Sequence, residues 1–133
     1  LKGEGFKLIV VTNQPDVARK TSSAKSVNEI NKYLLDTLPI DSIETCFHDD
    51  DDNCVCRKPL PGLIIKAAND YNIDLKSSYI IGDRWKDIAA GRSANCKTIF
   101  IDYNYDEINN IKSDFTTFDL KQAVEIILNY KEN

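Results

Sequence analysis

The stretch Lys7-Leu8-Ile9-Val10-Val11-Thr12-Asn13-Gln14-Pro15-Asp16 sets the reading of the chain. Lys7 to Thr12 is an apolar run with four β-branched residues together, which predicts a strand buried on both faces. Thr12 through Asp16 then breaks the run as a loop. A strand that is apolar on both faces needs cover on both, and that is the condition of a parallel sheet packed between helices.

Working outward, Ser78-Tyr79-Ile80-Ile81 and Thr98-Ile99-Phe100-Ile101 read as two more such strands, and Ile43 to Phe47 as a short one. Helical periodicity fills the gaps. Val27, Ile30, Leu34 and Leu35 share one face of a helix over about 23–38, stopped by Pro39. Leu63, Ile64, Ala67, Ala68 and Tyr71 do the same from Pro61 to Tyr71, with a proline where a first turn tolerates it. A third helix is predicted over 85–94, a surface loop over 103–117, and a last helix capped by Asp119 and running to about Tyr130. Leu1 to Gly5 look like a helix end with its glycine exit. Strands alternating with helices imply an α/β, Rossmann-like parallel sheet with helices on both faces, as one domain over 1–133. Ligands of such sheets bind beyond the carboxyl ends of the strands, where Thr12, Asn13 and Asp83 stand.

With 133 residues, 42% hydrophobic and 29% charged, the chain can build a real core. Its net charge of -4 and the lack of a basic stripe argue against a nucleic-acid binder. No apolar run approaches the roughly 20 residues of a membrane span, and no secretory signal is visible, so the expected setting is the cytoplasm. The chain contains no Met and opens on Leu1, from which a preceding segment is expected.

Three of the four cysteines and the single histidine crowd into residues 46–56: Cys46-Phe47-His48, then Cys54-Val55-Cys56. Two close pairs across a short loop can supply the four tetrahedral ligands of Zn²⁺, leaving no position open for water, so the zinc would be structural. Disulfides are disfavoured in a cytosolic chain. Asp49 to Asp52 between the pairs read as a solvated acidic turn, and Cys96 as a buried core residue.

Three polar phrases sit at or near strand ends. Thr12-Asn13-Gln14 offers a hydroxyl and an amide to phosphate oxygens. Arg57-Lys58-Pro59 follows the cysteine loop with two cations. Gly82-Asp83-Arg84-Trp85-Lys86-Asp87 sets two carboxylates four residues apart, an arrangement able to hold Mg²⁺. Each has a plain alternative: polar residues commonly follow strands, exposed Arg-Lys pairs are frequent, and Asp83 could be a helix cap.

In this order, Thr12-Asn13-Gln14, Cys46 through Gly62 and Gly82 through Asp87 resemble the haloacid-dehalogenase superfamily of phosphotransferases. The zinc-loop phrase narrows the resemblance to the group with heptose-1,7-bisphosphate phosphatases and histidinol phosphatases. The resemblance covers about residues 5–102. It implies a Mg²⁺-dependent phosphatase acting on a small sugar phosphate through an aspartyl-phosphate. In that frame Thr12 would hydrogen-bond the phosphoryl group, Lys58 would neutralise its charge, and Asp83 would ligate Mg²⁺ with Asp87 behind it. Asn13, Arg19 and Arg57 would contact substrate, and Cys46, His48, Cys54 and Cys56 would hold Zn²⁺. Around Arg19 the family usually has S-G-I-A-R-G, whereas Pro15-Asp16-Val17-Ala18-Arg19-Lys20 stands here, which bears on specificity.

The family's nucleophile phrase, D-x-D-G after an apolar strand, does not occur in this sequence. The expectation is therefore a sheet lacking its central first strand, two neighbouring strands left without that partner, and no activity in these 133 residues alone. About 30–50 further residues upstream would supply the missing strand, loop and helix. From a different class, the chain could be a non-catalytic, zinc-stabilised binding or regulatory module. Retention of Thr12, Lys58, Asp83 and Asp87 speaks against that. Oligomeric state is not legible.

Overall fold

A computed structural model describes residues 1, 3, 5–13, 24–46, 54, 56, 58–104 and 112–132. In chain order these form β1 (Ile9–Asn13), α1 (Ala24–Thr37), β2 (Ser42–Cys46), α2 (Gly62–Tyr71), β3 (Tyr79–Gly82), α3 (Trp85–Ser93), β4 (Lys97–Ile101), β5 (Phe115–Thr117) and α4 (Leu120–Glu132). A single 3₁₀ turn, Leu75–Ser77, leads into β3, its start capped by the Asp74 carboxylate, which accepts from the Lys76 N–H at 3.2 Å.

Every pairing is parallel, as the continuous apolar runs require. The strands fall into two sheets, β1-β2 and β3-β4-β5. Among the described residues no ladder joins β1 to β3. The two edges face one another across a cavity of about 610 Å³, with Leu8 and Val11 on one wall and Ile80 and Ile81 on the other. The fold is thus the expected open α/β sheet, interrupted between β1 and β3.

Side chains of β3 alternate between two cores, because successive residues of a strand point to opposite faces. Ile80 packs against Ile64 of α2 with Ala90 and Ala94 of α3 and its cap. Tyr79 and Ile81 pack on the other side against Ile99, Ala123 and Ile127. Helix α3 rides so close over β3 that a methyl at Gly91 would lie 2.0 Å from Ile80 Cγ2. Leu63, Ile64 and Ala67 are the buried stripe of α2, and its C-cap Asn72 takes the left-handed conformation.

Each sheet has a polar latch. Asp41 and Leu8 exchange two bonds: the Leu8 N–H donates to Asp41 Oδ2 and the Asp41 N–H to the Leu8 carbonyl, both at 2.7 Å. At the other sheet the Asp114 carboxylate accepts from the N–H and the hydroxyl of fully buried Thr98, at 2.8 and 3.1 Å. Asp119 caps α4 as expected, accepting from the Gln122 N–H at 2.8 Å. At the chain start the Phe6 N–H reaches the Leu1 carbonyl at 3.4 Å with Gly5 at φ 86°, the six-to-one bond of a glycine exit.

Four expectations need correction. Residues 103–117 are not all loop: Phe115–Thr117 pair with β4, so Thr98–Ile101 is not the last strand. Three residues are too few to show a period, and the Asn- and Asp-rich run before them hid the strand. The face of α1 is less buried than its pattern implied. Val27 is buried, but Ile30 is 60% exposed and Leu35 38%. Tyr71 at the end of α2 is 37% exposed, at the margin where the helix leaves its sheet. Cys96 is half-buried, resting against the edge of the Ile64, Ala90 and Ala94 core.

Candidate active site and cysteine cluster

The carboxyl ends of β1 and β3 lie on the same side of the interrupted sheet, and the polar phrases gather there. Thr12 and Asn13 close β1, both half-buried. Asp83 follows Gly82, the last residue of β3, and is also half-buried. Asp87 sits in the first turn of α3, is buried, and accepts from the Arg84 N–H at 3.2 Å, which answers one of the free donors at the helix start.

Gly82 explains how Asp87 comes so near the strand. A Cβ at that position would lie 2.3 Å from Asp87 Cβ, so only glycine lets the carboxylate tuck against the end of β3.

Lys58 joins the two strand ends. Its ammonium donates to the Val11 carbonyl at 3.2 Å and pairs with Asp87 Oδ1 at 2.5 Å. Both side chains are largely enclosed, at 14% and 12% exposure, so the pair is charge-assisted and poorly screened. The main chain of Lys58 is held too. Asn13 Oδ1 accepts from the Lys58 N–H at 3.1 Å, and Asn13 Nδ2 donates to the Lys58 carbonyl at 3.4 Å.

The result is a small site with one ammonium, two carboxylates, a hydroxyl and an amide at the mouth of the cavity. A cation flanked by carboxylates at strand ends can balance the charge of a phosphoryl group, and oxygen ligands there suit a hard cation such as Mg²⁺. The structure therefore brings together Thr12, Asn13, Lys58, Asp83 and Asp87. Arg19, His48 and Arg57 lie outside the described residues.

The cysteines converge beside this site. Cys46, wholly buried at the end of β2, has its Sγ 2.7 Å from Cys56 Sγ and 3.6 Å from Cys54 Sγ. All three sulfurs lie within 4.8 Å of one another. Thiolates around Zn²⁺ at about 2.3 Å stand about 3.8 Å apart, so the 3.6 Å between Cys46 and Cys54 suits three corners of a tetrahedral zinc, while Cys46 and Cys56, at 2.7 Å, would part by about 1 Å. Burial, reinforced by the neighbouring Cys46 and Cys54 thiols, pushes the Cys56 thiol up to about 12. The crowded Cys56 thiol resists ionising unless a cation shares the space, and a bound divalent ion would reverse that resistance.

Three site features escaped the sequence. The Val11 carbonyl accepts from Lys58, and the Asn13 amide reaches the backbone of residue 58. Main-chain groups carry no residue identity, so no motif could have marked them. The glycine before Asp83 was the visible signal for the third, the close seat of Asp87.

The family described as HAD-hydrolase-like matches residues 55–121. The D-glycero-beta-D-manno-heptose-1,7-bisphosphate 7-phosphatase of Helicobacter pylori is 37% identical over 102 residues, which are 72% of this chain and 59% of that protein. The enzyme of the same name from Yersinia pestis is 36% identical over 110 residues, 74% of this chain and 58% of its own length. A crystal structure of D,D-heptose 1,7-bisphosphate phosphatase from B. bronchiseptica, complexed with magnesium and phosphate, superposes with a TM-score of 0.84 at 26% identity, covering 98% of this chain and 78% of that one. The chain thus spans 59% and 58% of the two curated relatives.

Proposed function

Because this chain belongs to the HAD-hydrolase-like family of hydrolases, we propose that the protein containing it is a Mg²⁺-dependent phosphatase that removes a phosphate from a small phosphorylated sugar, with a heptose bisphosphate as favoured substrate. The observation that carries this reading is Lys58, held between Val11 at the end of β1 and Asp87 behind the end of β3. An enclosed ammonium fixed at strand ends is what a phosphoryl group needs as its charge shifts during transfer. The names of the relatives favour the heptose over histidinol phosphate.

In this mechanism Thr12 donates its hydroxyl to a phosphoryl oxygen. Lys58 neutralises the phosphoryl charge. Asp83 would ligate Mg²⁺ with Asp87 supporting it from behind, and the ion would supply further positive charge at the phosphoryl group. The attacking group would be an aspartate of a D-x-D-G phrase. Its carboxylate oxygen would bond phosphorus as the bond between phosphorus and the sugar's oxygen breaks, and a second aspartate, in its protonated form, would give its proton to the leaving alkoxide. Water then hydrolyses the aspartyl-phosphate. No such phrase occurs in these 133 residues, so both carboxylates belong to sequence outside them, on a strand suited to the cavity between β1 and β3. Arg19 and Arg57 would choose the sugar and its second phosphate.

Cys46, Cys54 and Cys56, with His48 as the fourth ligand, would hold a structural Zn²⁺ that stiffens the chain just before Lys58. A cytoplasmic setting goes with this reading, since a reducing compartment keeps cysteines available as metal ligands.

The test is phosphate release by the full-length protein. Heptose 1,7-bisphosphate should be hydrolysed with Mg²⁺ and not with excess chelator, while residues 1–133 alone should be inactive. Faster turnover of histidinol phosphate would move the substrate within the same class. A native protein without D-x-D-G, or one inactive on both compounds, would leave a zinc-stabilised binding module as the reading.

A further inference from the structure

Asn13 ends β1, and both polar atoms of its amide engage one residue 45 positions later. The acceptor Oδ1 meets the Lys58 N–H, and the donor Nδ2 meets the carbonyl of the same residue, at 3.1 and 3.4 Å. That is the pattern of a residue in a ladder, which gives and takes one bond with its opposite number. An amide is the side chain with a donor and an acceptor side by side, and only one orientation of it satisfies both contacts. Aspartate would lack the donor, and glutamine would reach past.

The other end of residue 58 returns to the same place. From its backbone held by Asn13, the lysine stem brings Nζ to the Val11 carbonyl, two residues before Asn13, and to Asp87. Residue 58 is therefore tied at both ends to the end of β1. Lysine is long and loses much rotamer freedom when fixed. Anchoring its backbone removes the largest source of error in where the ammonium stands.

We propose that Asn13 is a positioning residue: its amide grips the main chain of Lys58 and thereby sets the ammonium at the strand ends, in place of contacting substrate through that side chain. The proposal deepens the phosphatase reading and rests on it for its catalytic consequence, but the grip itself can be observed without turnover.

The experiment uses the full-length protein, its Asn13→Ala and Asn13→Asp variants, amide hydrogen exchange at Lys58, and steady-state phosphate release. Loss of one hydrogen bond should speed exchange of the Lys58 amide about fivefold to tenfold in Asn13→Ala. Asn13→Asp, which keeps the acceptor for that N–H, should exchange more slowly than Asn13→Ala. Misplacement of a catalytic charge should lower kcat about 10- to 100-fold with little change in KM. If Asn13→Ala fails to fold, Asn13→Asp carries the comparison, since it still loses the Nδ2 donor and should still lose kcat. Unchanged exchange at Lys58 in folded Asn13→Ala, or an unchanged kcat in Asn13→Asp, overturns the proposal. So does a raised KM with kcat intact, the signature of a direct substrate contact. A wild-type protein without phosphatase activity would sink the functional reading alone, and the exchange data would still decide the grip.

Discussion

In the three-stranded sheet Ile99 and Ala123 are completely shut away and Ile127 nearly so. Across the cavity, the two-stranded sheet leaves Val10 of β1 37% exposed and Tyr33 of its helix 67% exposed. Both sheets are parallel and both begin from β-branched runs, so composition does not separate them. The difference lies in cover. The β3-β4-β5 sheet has α4 on one face and α3 on the other, while α2 lies mainly over β1 and β2, with Val11 against the Ile64 cluster. The β1-β2 sheet has two strands, and a pair of strands is marginal in water unless something else holds it. What holds it here, beside the contact of Val11 with α2, is a set of specific ties: the Asp41–Leu8 exchange, Lys58, and the sulfur cluster around Cys46. The site is built where a well-packed half meets a half that depends on specific ties.

The strongest way to break this contrast is to disable the proposed zinc site. A structural zinc in a small domain contributes on the order of 10 kcal/mol. A strong chelator, or Cys46→Ser, should abolish stoichiometric zinc and deprotect β1 and β2 in hydrogen exchange, while β4 keeps its protection. Equal loss in both sheets, or none in either, would mean the cysteines do not carry the smaller half. Next in size, Ile99→Ala should cost about 2–5 kcal/mol by denaturant titration, since it empties a fully enclosed place beside Ala123 and Ile127. Gly91→Ala should cost about 1–3 kcal/mol by the same titration, because its methyl must push Ile80 aside. Ile30→Gln on the exposed side of α1 should change stability by no more than about 0.5 kcal/mol. A cost near that of Ile99→Ala in the full-length protein would show that other parts of that protein cover α1, and the contrast between the sheets would then belong to these 133 residues only.

The fold was legible wherever an element was long enough to show its period. The apolar runs before Asn13 and Gly82 gave strands, and Pro39 and Pro61 marked a helix end and a helix start. Phe115–Thr117 was missed because three residues have no period, and its strand character comes from lying beside β4 and from Phe115 stacking edge-on against Tyr130 at 6.0 Å. The face of α1 was overread because periodicity reports which residues could be buried, and burial needs a partner. For the site, the strand-end rule picked out Thr12, Asn13 and Asp83. It could not say that Lys58 would span from Val11 to Asp87, because that depends on how the chain after the cysteines returns to β1.

The two polar latches also bear on the order in which the molecule assembles. Thr98 and Asp114 are 16 residues apart, whereas Leu8 and Asp41 are 33 apart. Doubling a loop adds only about 0.6 kcal/mol to its closure, but the shorter loop also closes onto the better-packed face, so both effects favour the same half. The β4-β5 pairing should therefore form first and serve as the surface on which later pairings collect. Pulse-labelled exchange during refolding would show protection at Thr98 before Leu8, and the reverse order would mean that folding begins at the cysteine-bearing end.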